Sequence, residues 1–169
     1  MRMMAWWLAV GTGALSGVRQ PPSSRVDKAV LFQNPAPLSG PDFIVAGLAH
    51  DADSAAVVRA LGKPDSIVQT EVVGGEGHLA DWYYRDALVS FSNGSFLGIT
   101  LRGPRLATKR GLRVGDTVQR LRQLYGVPHD TTDGVWMYAD PSRRDFLHTI
   151  SVTTERGSIM SIYLGWTID

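Results

Sequence analysis

The 169-residue chain carries 17 basic and 16 acidic residues, for a formal net charge of +1, and 44% of it is hydrophobic. So even a balance argues against a nucleic-acid or membrane partner held by bulk charge, and the length suits one domain or two small units sharing a core. The absence of cysteine excludes disulfides, thiolate catalysis, Cys-ligated zinc and a lipidated N-terminal cysteine. The 18 glycines and 9 prolines favour many turns, hence several strands.

Met1 to Ser16 has one positive charge, Arg2, followed by an apolar run free of further charge. This pattern predicts a secretory signal over 1–16, with small residues at Ala14 and Ser16 placing cleavage near Gly17. The run is short for a comfortable membrane span, so the expected product is exported, periplasmic or secreted. Retention by an uncleaved anchor over residues 3–16 is the alternative, and the sole membrane contact expected. Residues 17–42, with Pro21-Pro22-Ser23-Ser24 and Pro35-Ala36-Pro37, read as a Pro/Ser-rich linker with too few apolar groups to offset chain entropy. Within it, Ala29-Val30-Leu31-Phe32 has the composition of an edge strand or docked segment.

Two stretches then share one start-and-stop signal. Asp53 to Pro64 and Asp116 to Pro128 each read as a short amphipathic helix ended by Gly62 or Gly126, with Pro64 or Pro128 closing the exit. Val57, Ala60 and Leu61 correspond to Leu121, Leu124 and Tyr125, at i, i+3 and i+4 on one helix face. Asp116 is the expected N-cap of the second helix, with Gln119 in the capping-box position. Asp51 or Asp53 serves the first. Downstream, Trp82-Tyr83-Tyr84 answers Trp136-Met137-Tyr138, and Asn93-Gly94 answers Arg156-Gly157. The period-two alternation in Leu97 to Leu101 and in Met160 to Leu164 predicts strands with one apolar face. The expected fold is therefore α+β: two tandem repeats, 43–107 and 108–169, each a helix plus a three-stranded antiparallel sheet. The repeats are packed side by side with the helices on one face, with one continuous antiparallel sheet as an alternative form of that arrangement.

Val58-x-x-Leu61-Gly62-x-Pro64, followed by Trp82-x-Tyr84 and an apolar hairpin, resembles the outer-membrane assembly lipoprotein domain of the SmpA/OmlA type. Tandem copies resemble the β-lactamase-inhibitor-protein fold, and Thr108 to Asp116 resembles exported bacterial proteins of that class. The resemblance spans roughly Phe43 to the C-terminus and implies a non-enzymatic binding or assembly role. With no cysteine, neither the lipid anchor of the first group nor the disulfides of the inhibitor protein can form here.

Convergent chemistry is sparse. His50-Asp51-x-Asp53 offers imidazole and carboxylate donors for a divalent ion, against a plainer reading as the turn and cap before the first helix. These three are the weak metal candidates. Ser90, Ser92 or Ser151 pairs on paper with His148 and Asp145, but no G-x-S-x-G elbow surrounds any of them. Val73 to His78 lacks the Lys-Ser/Thr and following helix of a phosphate loop. The basic stretch from Arg102 through Arg105, Lys109, Arg110, Arg113 and Arg120 to Arg122 holds one acid, Asp116. It reads as a solvated connection or a site for an anionic surface, and it lacks the aromatics RNA recognition needs.

The aromatics carry the binding expectation, since Trp and Tyr dominate interface hot spots. Trp82, Tyr84, Trp136 and Tyr138 share one face of the predicted strands, which is a binding surface if open and core if it meets the helices. Phe96 and Tyr163, with Thr100 and Ile159, alternate toward the other face. The function expected is an exported, non-enzymatic, protein-binding or envelope-associated module, monomeric and without cofactor. Its alternatives are a small-ligand or metal-binding envelope protein and, last, a hydrolase.

Overall fold

The structure, a computed structural model, describes residues 35–71, 77–140 and 147–167, with Leu147, Trp166 and Thr167 described by backbone alone. The signal expected over 1–16, its cleavage near Gly17 and the linker up to residue 34 lie outside the described residues, as does Asp145.

A 3-10 turn at Gly40–Phe43 precedes helix α1 (Ser54–Leu61) and strands β1 (Ser66–Glu71), β2 (His78–Tyr84), β3 (Ala87–Ser92) and β4 (Ser95–Leu101). Helix α2 (Val118–Tyr125) then leads into β5 (Asp130–Thr132), β6 (Val135–Ala139), β7 (Leu147–Glu155) and β8 (Ser158–Thr167). All eight strands form one antiparallel sheet in the order β1-β2-β3-β4-β8-β7-β6-β5.

This corrects the expected fold class. The described residues do not form two helix-plus-three-stranded repeats: they are mostly a single eight-stranded sheet carrying two eight-residue helices. The decisive pairing is β4 with β8, which sets Gly98 opposite Gly165, Ile99 opposite Leu164, Thr100 opposite Tyr163 and Leu101 opposite Ile162. Had the two strands stayed apart, each would present an apolar edge with a row of unpaired backbone groups. Joining them satisfies those groups and places four buried side chains in one core.

The helices obey local chemistry at both ends. Asp53 caps α1 by accepting from the Ala56 N–H at 2.6 Å. Gly62 and Gly126 end the helices at φ +85° and +75°, where a side chain would be strained, and each donates its N–H back to the last turn. The second N-cap is Thr117, whose hydroxyl accepts from Arg120 N–H, rather than Asp116. Asp116 instead closes a preceding turn by accepting from Arg113 N–H.

Among the described residues, every large fully buried side chain falls in one cluster. Val57 of α1, Leu121 and Tyr125 of α2, and Leu112 pack on Val89, Ile99, Leu101, Ile150, Val152, Ile162 and Leu164. This cluster defines the helix face of the sheet. Residues 35–42, read from the sequence as linker, belong to the packed body. Asp42 is buried and pairs with Arg110 through Nε–Oδ1 at 2.7 Å and Nη2–Oδ2 at 2.9 Å. Arg110 also donates to the Leu124 and Pro37 carbonyls and lies 5.2 Å from the Tyr125 ring. One guanidinium therefore ties the chain entering the domain to the end of α2.

Candidate functional site

Strand register assigns each aromatic to a face. Val89, on the helix face, is paired with Trp82, and Tyr84 with buried Ala87, so both rings point to the core side. Likewise Trp136 is paired with Val152 and Tyr138 with Ile150. Trp82 lies 4.9 Å from Phe91, and Tyr125 lies 5.4 Å from Tyr138. The Tyr84 hydroxyl donates to the Gly62 carbonyl at 3.3 Å, and the Tyr138 hydroxyl to that of Gly126 at 3.5 Å. These phenols hold the helix C-termini to the sheet. Burial raises the Tyr138 phenol, offset in part by Arg122, and raises Tyr84. Tyr138 is only 3% exposed, and Trp82, Tyr84 and Trp136 are half-buried against the same core cluster, so this set packs on the helix face.

Phe96 is corrected to the same face. Ser90 pairs with Gly98 but Phe91 pairs with Phe96, so Leu97 is an extra residue in β4. A β-bulge interrupts the alternation and returns Phe96 to the core, where it is 8% exposed. The second hairpin repeats the device: Thr153 pairs with Ser161 and Thr154 with Ile159, leaving Met160 extra and 49% exposed while Ile159 is buried. Sequence alternation cannot see these insertions.

Tyr163 lies on the opposite face. Its ring covers Gly98 and Gly165, the pair joining β4 to β8. A Cβ on Gly98 would sit 2.8 Å from that ring and 2.7 Å from the Leu164 carbonyl. Desolvation by burial raises the Tyr163 phenol. Register extends a row from it across the sheet: Tyr83, Leu88, Thr100, Tyr163, Ser151 and Met137, one from each of six adjacent strands. All six are half-buried. Beside them lie Asp81, which accepts from the Ser90 hydroxyl at 2.6 Å, and Arg102, 5.7 Å from the Tyr83 ring. Sequence reasoning missed Tyr83 and Met137 as surface candidates. Only the pairing of Trp82 with Val89 and of Trp136 with Val152 assigns the residues between them to the other face, and that pairing has no local signal.

The remaining candidates disperse. Asp53 is engaged as a helix cap, the His50 ring lies tilted 6.1 Å from that of His148, and among the described residues no three His, Asp or Glu side chains gather as a metal site. His148 sits on the helix face against Phe43 at 4.9 Å, whereas Ser90, Ser92 and Ser151 lie on the other face. The sheet itself separates the serines from that imidazole.

The basic stretch is largely spent internally. Arg110 pairs with Asp42, Arg105 with Asp86, Arg113 donates to the Pro104 and Arg105 carbonyls, and Arg122 lies 5.0 Å from the Trp136 ring. A cleft of about 460 Å³ beside Tyr84, Asp86 and Arg105 is bordered by that Arg105–Asp86 pair. No described helix is long and apolar enough to cross a membrane.

No family model matches the chain, and no curated protein matches it. Among solved structures, it is similar to a DUF4309 family protein, YjgB, from Bacillus subtilis subsp. subtilis str. 168. The identity is 15%, the TM-score 0.40, and the match covers 72% of this chain and 83% of that one.

Proposed function

We propose that the protein is an exported, non-enzymatic module that holds another protein against the sheet face opposite its helices. The observation that carries this reading is the row Tyr83, Leu88, Thr100, Tyr163, Ser151 and Met137. It is a half-buried strip of large, partly apolar side chains interspersed with small hydroxyls. Tyr and Met are enriched where proteins meet, and this composition resembles an interface centre more than a purely solvated sheet surface. Asp81 and Arg102 beside the row give polar groups able to fix register. Export rests on the charge and apolar pattern of Met1 to Ser16. The likeness of Val58 to Pro64 and Trp82 to Tyr84 to an assembly domain whose members engage other proteins supports the same class.

A photoreactive side chain at Tyr83 or Met137 tests it. Covalent capture of one discrete envelope or extracellular protein is expected at both positions, with none from Arg120 on the exposed side of α2. Capture from Arg120 alone, or from no position, would contradict the reading.

A further inference from the structure

The two edges of the sheet are built differently. At one, β5 is three residues long without an apolar side chain, and Asp130 turns its carboxylate onto Thr131 N–H and the Thr132 hydroxyl. Short length and inward-bonded charge are the usual protections of an edge. At the other, β1 runs six residues, Ser-Ile-Val-Gln-Thr-Glu, exposed throughout, with no Pro, Lys or Arg. Ile67 and Val68 are each 48% exposed, one on each face, and among the described residues no strand pairs their outer side. On the helix face the row Val89–Trp82–Ile67 stops at this edge.

We infer that the β1 edge is a seam for a second copy of this chain, pairing antiparallel about a two-fold axis centred on Ile67. Antiparallel pairing of identical edges puts the axis perpendicular to the sheet, so paired residues share a face and a symmetric register must centre on one residue. Centring on Val68 sets Asp65 opposite Glu71 at both ends, like charge against like. Centring on Gln69 buries Ile67 against Glu71. Centring on Ile67 brings Ile67 to Ile67 and Val68 to Ser66 within the strand, and sets Gln69 and Glu71 toward Asp65 and Lys63 in the segment just before it. Opposite charges close both ends, and the apolar row continues from Trp82 and Ile67 into its symmetry mate. This departs from the monomer expected from sequence. It leaves the open sheet face free, so failure of one proposal does not touch the other.

Charge reversal tests the register. In sedimentation velocity across a concentration series the mature chain should dimerise. Lys63→Glu and Glu71→Lys should each weaken the dimer by about tenfold, since every dimer contains the pair twice. The double variant should return to within about threefold of the parent. Because the chain has no cysteine, Ile67→Cys supplies a unique thiol at the axis. It should oxidise to a disulfide-linked dimer faster than Val68→Cys. A parent that stays monomeric, a double variant as weak as the singles, or faster linkage through Val68→Cys would each overturn the inference.

Discussion

The two faces of the sheet are made from the same strands yet follow different rules. On the helix face, Val89, Ile99, Leu101, Ile150, Val152, Ile162 and Leu164 are closed over by Val57, Leu121 and Tyr125. On the other, Leu88, Ser90, Thr100, Ser151 and Tyr163 alternate with them, and glycines 98 and 165 lie at the midline under one tyrosine ring. One face spends its side chains on stability, and the other keeps a mixed strip at the surface. Substitutions at neighbouring positions of one strand should therefore have unequal consequences.

The largest effect is expected at the buried ion pair beneath the helix face. Asp42 and Arg110 have side chains only 10% and 15% exposed. Removing one partner as Arg110→Ala should cost about 3–5 kcal/mol in urea unfolding, because Asp42 is left without its counter-charge and holds only the bonds from Ser39. Ile162→Ala, on the same face, should cost about 2–5 kcal/mol. Burial alone would raise the Asp42 carboxyl, but bonds from Arg110 and Ser39 outweigh it and hold the group below its usual range. Its contribution is present above the unfolded carboxylate value and fades as pH falls through the lower native one. Arg110→Ala should accordingly flatten the acid arm of the stability curve.

Next in size is the midline of the other face. Gly98→Ala should destabilise by about 1–3 kcal/mol, since its Cβ meets the Leu164 carbonyl as well as the Tyr163 ring. Tyr163→Ala should relieve only the ring contact, so the double variant measures how much of the strain is backbone.

The alkaline arm reports the helix face again. Burial raises the Tyr125 phenol from 10.0 to about 12, with the Thr108 hydroxyl and Arg110 opposing it, and the Tyr138 phenol is raised as well. A raised native value means the proton is held more tightly when folded. Stability is then intact below pH 10 and falls between about 10 and 12, by about 1.4 kcal/mol per pH unit for each phenol. Tyr125→Phe should shallow that fall in a denaturation series at stepped pH.

How much of this was legible in the sequence varies with the range of the interaction. The helix stops at Gly62 and Gly126 are local events and read directly. The face carrying Trp82 and Tyr84 could not be fixed, because Tyr83 between them is large too and only pairing with Val89 decides it. Leu97 and Met160 look like ordinary members of an alternating strand, and each is an inserted bulge residue. Asp42 and Arg110 stand 68 residues apart, so their pairing has no local signature. The junction of β4 with β8, which turns the expected units into one sheet, depends on two glycines meeting across strands and is likewise invisible locally.

The smallest effect is expected on the open row. Met137→Ser and Leu88→Ser should change stability by less than about 1 kcal/mol, as partly exposed positions away from the core. Their consequence should appear in binding instead. Hydroxyl-radical footprinting of the purified protein and of the protein in intact cells compares the faces most directly. Tyr83, Leu88 and Met137 should be modified in the isolated protein and shielded in the cell, while Trp82, Tyr84, Trp136 and Tyr138 stay unchanged between the two. Equal modification of Tyr83 and Met137 in both settings would contradict a partner on that face.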